Sequence, residues 1–156
     1  MTHVRKKILF VCHGNICRSP MAEFVLKHLA AEAGRADEFE IASAAVSTEE
    51  TGNDIYPPAK RKLREKGIPF TCHAARQITR EDYRYYDYIV CMDRSNLHLL
   101  RYIIGDDTAG KVSLLMGWVN NPNDQIVNIS DPWYTGDFEA TYRDLIRGCT
   151  AMLNKL

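Results

Sequence analysis

A cysteine and an arginine near the start of the chain form a pattern suited to phosphate chemistry. They are Cys12 and Arg18, within the segment VCHGNICRSP of residues 11–20. An apolar run precedes Cys12, and a helical pattern follows Arg18. A loop between a buried strand and a helix N-terminus can turn its N–H groups inward and bind an anion. The guanidinium of Arg18 can contact two phosphate oxygens, and this positive environment favours the thiolate of Cys12 as a nucleophile for phosphoryl transfer.

The other residues of this segment predict how the loop is built. Gly14 is expected to let the loop bend where a Cβ would clash. Ser19 and Pro20 predict the N-cap and the first residue of the following helix, and Ser19 could also hydrogen-bond the sulfur of Cys12.

A second requirement of this chemistry is a group that moves protons. The leaving oxygen needs a proton, and the later hydrolysis of a phosphocysteine needs an activated water. Asp131 and Pro132 end a polar loop over residues 120–131, where a rigid turn could hold a carboxylate over Cys12. An Asp-Pro pair by itself usually forms only a turn, so the residue pair alone does not assign this role.

The elements that must position these residues alternate along the chain. Apolar runs predict strands at residues 6–11, 39–45, 88–92 and 111–115. Three- and four-residue apolar spacing, with capping residues, predicts helices at 20–33, 57–66, 94–104 and 138–156, and a short turn at 80–83. This alternation predicts a parallel α/β sheet, in which ligands bind at the carboxyl ends of strands.

Composition limits the function classes. The 156 residues are 46% apolar and 26% charged, as expected for one globular domain over 1–156. Lysine plus arginine and aspartate plus glutamate number 20 each, which gives no support for nucleic-acid or membrane binding. An odd count of five cysteines, with no C-x-x-C pair and no recognisable signal peptide, predicts reduced thiols and a cytoplasmic location. The histidines are scattered, so neither a metal nor a cofactor is expected.

The motif CHGNICRSP resembles the phosphate loop of the low-molecular-weight protein tyrosine phosphatases, whose signature is Cys, five residues, Arg and Ser or Thr. Further similar segments are SAAVS at 43–47, ARQIT at 75–79, YDYIVCMDRSN at 86–96 and DPWYTGDFEATY at 131–142. The resemblance implies four parallel strands with helices on both faces and the phosphate-binding loop after the first strand. It also implies hydrolysis of phosphotyrosine in proteins through a phosphocysteine, with inorganic phosphate as product.

The same resemblance implies roles for individual residues. Cys12 is the expected nucleophile, Arg18 the phosphate clamp and Asp131 the general acid and base. Asn15, Ser43 and His73 resemble residues that brace the loop by side-chain hydrogen bonds. Asp93 resembles a structural acidic residue near the loop, and its main expected role is that of a helix cap. The residues expected to contact phosphate or substrate are His13, Gly14, Asn15, Ile16, Cys17, Ser19, Glu49, Trp133 and Tyr134.

Two assignments stay open at this point. Cys17 is either a small buried residue or a resolving thiol that forms a disulfide with oxidised Cys12. Many relatives carry an aromatic residue where this chain has Glu49. Glu49 therefore forms either an acidic wall that repels acidic phosphopeptides or, together with Glu50, a solvated loop without substrate contact.

Other functions fit the residues less well. An arsenate reductase needs further relay cysteines, and the surroundings of Cys72 and Cys91 match the phosphatase better. Related arginine phosphatases carry Thr where this loop has Ile16. A non-catalytic phosphate-binding module would lack one of the three catalytic residues. The segment GDDTAGK at 105–111 resembles a nucleotide-binding loop but leads from a helix into a strand, so a surface turn is expected.

Overall fold

One parallel sheet forms the centre of the molecule. Within residues 4–119 and 127–156, which the computed structural model describes, the sheet has four strands. They are β1 (Lys6–Cys12), β2 (Phe39–Ala45), β3 (Tyr88–Cys91) and β4 (Val112–Leu114). Their order across the sheet is β2-β1-β3-β4, and every neighbouring pair is parallel. The winding direction reverses beside β1, so the switch point lies between the carboxyl ends of β1 and β3.

Helices connect the strands and cover both faces of the sheet. In the described ranges they are α1 (Arg18–Glu32), α2 (Pro57–Glu65), α3 (Arg80–Tyr85), α4 (Arg94–Ile104), α5 (Pro132–Thr135) and α6 (Phe138–Lys155), with 3-10 turns at Ala36–Glu38 and Leu115–Trp118. The predicted four-stranded parallel α/β architecture is confirmed. No helix of the described part of the chain is long and apolar enough to cross a membrane.

The central strand β1 is apolar along its length because both of its faces are buried. Ile8 and Phe10 pack with α1, α2 and α6 on one face of the sheet. Leu9 and Val11 point to the other face, where they pack with residues of α3 and α4. The side chain of Cys12 ends the first of these rows, so its sulfur lies at the carboxyl edge of the sheet.

Local signals place most helix ends correctly. Thr79 and Asp93 cap α3 and α4 through reciprocal capping boxes, and Asp137 caps α6. Asp107 accepts N–H bonds from Lys111 and Val112, so the segment 105–111 is the expected turn into β4.

A few boundaries differ from the sequence predictions. Helix α1 begins at Arg18 with Cys17 at its N-cap, so the predicted cap at Ser19 and start at Pro20 are wrong. The turn predicted at 80–83 is a full helix, and the end of the strand predicted at 111–115 forms a 3-10 turn. Most of the predicted polar loop at 120–131 lies outside the described residues.

Candidate active site

The sulfur of Cys12 lies at the centre of the loop that joins β1 to α1. The backbone N–H groups of Asn15 and Ser19 donate to Sγ over 3.3 and 3.4 Å, and Oγ of Ser19 lies 3.0 Å from it. Cys12 is almost completely buried. Donors that converge on a sulfur atom stabilise negative charge there, which is the condition for a nucleophilic or leaving thiolate. The predicted contact between Ser19 and Cys12 is confirmed.

The sharp bend of the loop occurs at Asn15. Its φ is +62°, whereas Gly14 does not have a positive φ. The bend predicted at Gly14 therefore occurs at the next residue. The close approach predicted at Gly14 is present, because a Cβ there would lie 3.3 Å from Cγ of Glu50, a flexible side chain. Asparagine occupies the left-handed region more readily than most residues.

The buried side chain of Asn15 holds the loop in this shape. Its Nδ2 donates to Oγ of Ser19 over 2.8 Å and to Oγ of Ser43 over 3.0 Å. Its Oδ1 accepts from the backbone N–H of Arg76 over 3.2 Å, and its carbonyl oxygen lies 2.7 Å from Nε2 of His73. Asn15 thereby fixes the Ser19 hydroxyl oxygen, whose other contacts are the sulfur of Cys12 and the carbonyl oxygen of Ala44 at 3.3 Å. The bracing contacts predicted for Asn15, Ser43 and His73 are all present.

The carboxylate of Glu23 extends this hydrogen-bond network into α1. Oγ of Ser43 donates to Glu23 over 2.7 Å, and Lys27 donates to the other oxygen of Glu23 over 2.6 Å. Glu23 is buried with this charge partner four residues away in α1. Sequence reasoning missed Glu23, since an acidic residue in a helix pattern usually lies on the solvated face.

Arg18 is nearly inaccessible and is held by groups from distant parts of the chain. Its Nη1 donates to Asp93 over 2.6 Å and to the carbonyl oxygen of Ile129 over 2.8 Å. Burial, the largest influence on the pKa of Arg18, opposes its charge, but Cys12, Asp131 and Asp93 outweigh this and raise the pKa. Asp93 thus both caps α4 and positions the guanidinium.

Asp131 reaches the same guanidinium from the start of α5. Its Oδ2 lies 3.3 Å from Nη2 of Arg18, and its Oδ1 accepts the N–H of Trp133 over 3.1 Å as the helix cap. About a quarter of the side chain remains exposed, at 23%. The carboxylate is therefore both fixed in direction and accessible from the pocket.

A pocket of about 120 Å³ opens above the loop. The residues that line it are Cys12, His13, Gly14, Ile16, Cys17, Arg18, Glu49, Glu50, Asp131, Trp133 and Tyr134. Two residues expected to contact phosphate or substrate, Asn15 and Ser19, do not line the pocket. They contact the sulfur of Cys12 instead. The structure brings the three expected catalytic residues together here.

The rim of the pocket is acidic on one side and aromatic on the other. Glu49 pairs with Nε2 of His13 at 3.1 Å, and Glu50 accepts from Asn53. The ring of Trp133 packs against Tyr56 with a centroid separation of 4.8 Å. Tyr134 is largely exposed at the rim. Both glutamates thus line the pocket, whereas the sequence predicts only Glu49 as a contact residue.

The second cysteine of the loop is chemically different from the first. Cys17 is buried, and its pKa is raised by burial first and then by Cys12 and Asp131. Its thiol therefore stays protonated at neutral pH.

Among the described residues, no group of three or more histidine, cysteine, aspartate or glutamate side chains could hold a metal ion.

Comparisons with known proteins agree with this geometry. Residues 7–156 match the model of the low molecular weight phosphotyrosine protein phosphatases. The chain belongs to this family. It is 43% identical to the pig family member over 157 residues, which cover 98% of this chain and 97% of that protein. The crystal structure of YfkJ from Bacillus subtilis superposes with a TM-score of 0.93 at 34% identity, covering 99% of this chain and 96% of that chain. A Drosophila arginine phosphatase structure has a TM-score of 0.84 at 32% identity and 96% coverage of both chains.

Proposed function

We propose that this protein hydrolyses phosphotyrosine in proteins, and aryl phosphates in general, through a phosphocysteine. The observation that carries the proposal is the convergence of Cys12, Arg18 and Asp131 on one pocket, where Sγ accepts two N–H bonds and Asp131 lies beside the buried guanidinium. These groups match what phosphoryl transfer to a thiolate requires: a nucleophile, a fixed positive charge and an acid.

The first step transfers the phosphoryl group to sulfur. The thiolate of Cys12 attacks phosphorus, the S–P bond forms, and the bond from phosphorus to the tyrosine oxygen breaks. Asp131 donates its proton to that oxygen, so tyrosine leaves as a neutral phenol. Arg18 and the loop N–H groups hold the phosphoryl oxygens throughout, since their position is set before substrate binds.

The second step releases phosphate. Asp131, now a carboxylate, takes a proton from a water molecule that attacks phosphorus on the side where tyrosine has left. The S–P bond breaks and the electron pair returns to sulfur, where the Ser19 hydroxyl and the N–H groups of Asn15 and Ser19 stabilise it. Inorganic phosphate then leaves, and no cofactor or metal takes part.

The shape of the pocket supports an aryl substrate. Cys12 lies at the floor, so a long, flat phosphoester brings phosphorus to sulfur more easily than the short side chain of phosphoserine. The ring would contact Trp133, which Tyr56 supports, and Tyr134, while His13 and Glu49 form the opposite wall. An acidic wall would disfavour phosphopeptides with acidic residues on that side.

We also propose that oxidation controls the enzyme. Cys17 lines the pocket that contains Cys12. A peroxide would oxidise the Cys12 thiolate to a sulfenic acid, and the peroxide would be reduced. Cys17 would then lose its proton and attack that sulfur, so that the S–S bond forms and the S–O bond breaks, with the oxygen leaving as water. A thiol reductant would reverse this. The five cysteines are free, which fits a reducing, cytoplasmic location, and tyrosine-phosphorylated proteins are the partners we expect there, with no nucleic acid or membrane.

One panel of substrates tests the main proposal. Phosphotyrosine, phosphoserine and phosphoarginine peptides are compared with arsenate, for the wild type and Cys12→Ser. We expect turnover of phosphotyrosine by the wild type and none by Cys12→Ser, which should still bind inorganic phosphate. A preference for phosphoarginine, or appreciable turnover by Cys12→Ser, would contradict it. Phosphoarginine belongs in the panel because of the Drosophila structure, although Ile16 replaces the Thr of those enzymes.

A further inference from the structure

A groove lies beside the pocket and shares Trp133 with it. Its volume is about 610 Å³, much larger than the pocket, and it runs between α2 and the start of α6. The catalytic mechanism uses none of its other residues. Because the groove and the pocket share Trp133, the groove can receive the polypeptide on one side of a phosphotyrosine in the pocket.

One wall of the groove is aromatic and rigidly connected to the phosphate loop. The ring of Tyr56 lies 4.8 Å from that of Trp133 and 6.2 Å from that of Phe138, centroid to centroid. The N–H of Tyr56 donates to the carbonyl oxygen of Ile16 over 2.9 Å. The wall therefore keeps its position relative to Cys12, as a docking surface for the same substrate would require.

The other wall is the outer face of α2. Pro58, Arg61, Lys62 and Glu65 line the groove, at the spacing that places residues on one side of a helix. Ala59 is buried on the opposite side of α2.

The charges on this helix face do not cancel. Lys62 contacts Glu65 at 2.5 Å and Glu139 at 2.8 Å, and Glu139 also pairs with Lys66. Arg61 is exposed and makes no ion pair with any residue in the described ranges. The lining thus contains two cations and one carboxylate, with Arg61 as the cation whose charge remains available.

We propose that this groove binds the substrate polypeptide next to the phosphotyrosine, with an acidic side chain of the substrate against Arg61. This inference rests on the proposed phosphatase function and adds a substrate preference to it. It follows from the continuity of the groove with the pocket through Trp133 and from charge complementarity at Arg61. The opposite rim carries Glu49 and Glu50, so an acidic substrate residue should be favoured only on the groove side.

The test uses phosphotyrosine peptides in which one aspartate is moved through the flanking positions of a neutral sequence. Each kcat/KM is divided by that of the matching asparagine peptide. A small aryl phosphate, which fills the pocket alone, is measured in parallel for every variant. The wild type should show a preference of about two- to fivefold for aspartate on one side, decreasing with added salt. Arg61→Glu should reverse this preference, mainly through KM.

Arg84→Glu is the matched control. It makes the same change in net charge on α3, across the sheet from the groove, and it should keep the wild-type preference. A wild type without a positional preference, a preference that survives in Arg61→Glu, or an equal loss in Arg84→Glu would overturn the inference. The aryl phosphate separates the two proposals: turnover of it without any peptide preference refutes the groove alone, whereas no turnover refutes the proposed function as well.

Discussion

The side chain of Asn15 offers the most direct test of how the phosphate loop is held. Asn15→Ala removes the hydrogen bonds to Ser19 and Ser43 and the one from Arg76. It also leaves a Cβ on a residue with φ of +62°. Asn15→Gly removes the same three bonds but can adopt this φ without steric conflict. Comparing the two variants separates the network from the backbone conformation.

The structure sets the size of both effects. Two buried hydrogen bonds and a partly buried one, at about 1 kcal/mol each, amount to about 3 kcal/mol. Alanine in the left-handed region lowers the free energy of unfolding by about 1–2 kcal/mol more. Glycine lowers it by about 0.4–1 kcal/mol more, because it increases the entropy of the unfolded chain. The free energy of unfolding should therefore fall by about 3–4 kcal/mol in Asn15→Gly, and by about 0.5–1 kcal/mol more in Asn15→Ala.

Urea unfolding measures these differences, and kcat for an aryl phosphate measures the effect on the thiolate. Both variants should lose about tenfold in kcat, because the Ser19 hydroxyl loses the hydrogen bond from Asn15 that holds it beside Cys12. Asn53→Ala is the control, since it removes an exposed hydrogen bond to Glu50 and should change stability by less than about 0.5 kcal/mol. Equal stability of the Asn15 variants would refute the backbone argument. Wild-type stability and kcat in both would refute the network.

The other predictions concern individual pocket residues. Arg18→Lys should lower kcat/KM by about 10²- to 10³-fold, because lysine cannot contact two phosphate oxygens at once; near-normal turnover would contradict this. Asp131→Asn should lose about 10²- to 10⁴-fold with poor leaving groups and much less with good ones, whereas an equal loss would indicate a structural role. After inactivation by mild peroxide and treatment with a dithiol, Cys17→Ser should recover a smaller fraction of its starting activity than the wild type. In the oxidised wild type, mass spectrometry should find a Cys12–Cys17 disulfide, and this disulfide should form faster as pH rises. Glu49→Lys should improve kcat/KM for an acidic-flanked phosphotyrosine peptide at low salt more than for an aryl phosphate, and an unchanged salt dependence would contradict the acidic wall.

Local sequence patterns predicted the elements well because their determinants are local. A capping side chain accepts a hydrogen bond from the N–H of a residue only three positions later. Thr79 accepts from Asp82 in this way, and Asp93 accepts from Asn96. The apolar run of β1 likewise reflects burial on both faces, which any parallel sheet with helices on each side imposes.

The same reasoning failed where a distant partner competes with the local one. Ser19 has the residue type of an N-cap, but its hydroxyl contacts Sγ of Cys12, Nδ2 of Asn15 and the carbonyl oxygen of Ala44. Gly14 has the residue type of a bend, but the positive φ occurs at Asn15, whose side chain is tied to Ser43 and Arg76. Neither result can be read from the neighbouring residues.

The sequence by itself determined the nucleophile loop, since the spacing of Cys12 and Arg18 lies within one strand-loop-helix unit. Only the tertiary structure decided what surrounds this loop. Asp93 and Asp131 are 75 and 113 positions from Arg18, yet both contact its guanidinium. Asp93 follows β3, whose carboxyl end lies beside that of β1 in the parallel sheet, and Asp131 reaches the same edge because the N–H of Ile129 donates to the carbonyl oxygen of Met92. Glu23 and the groove beside Trp133 depend on the same packing.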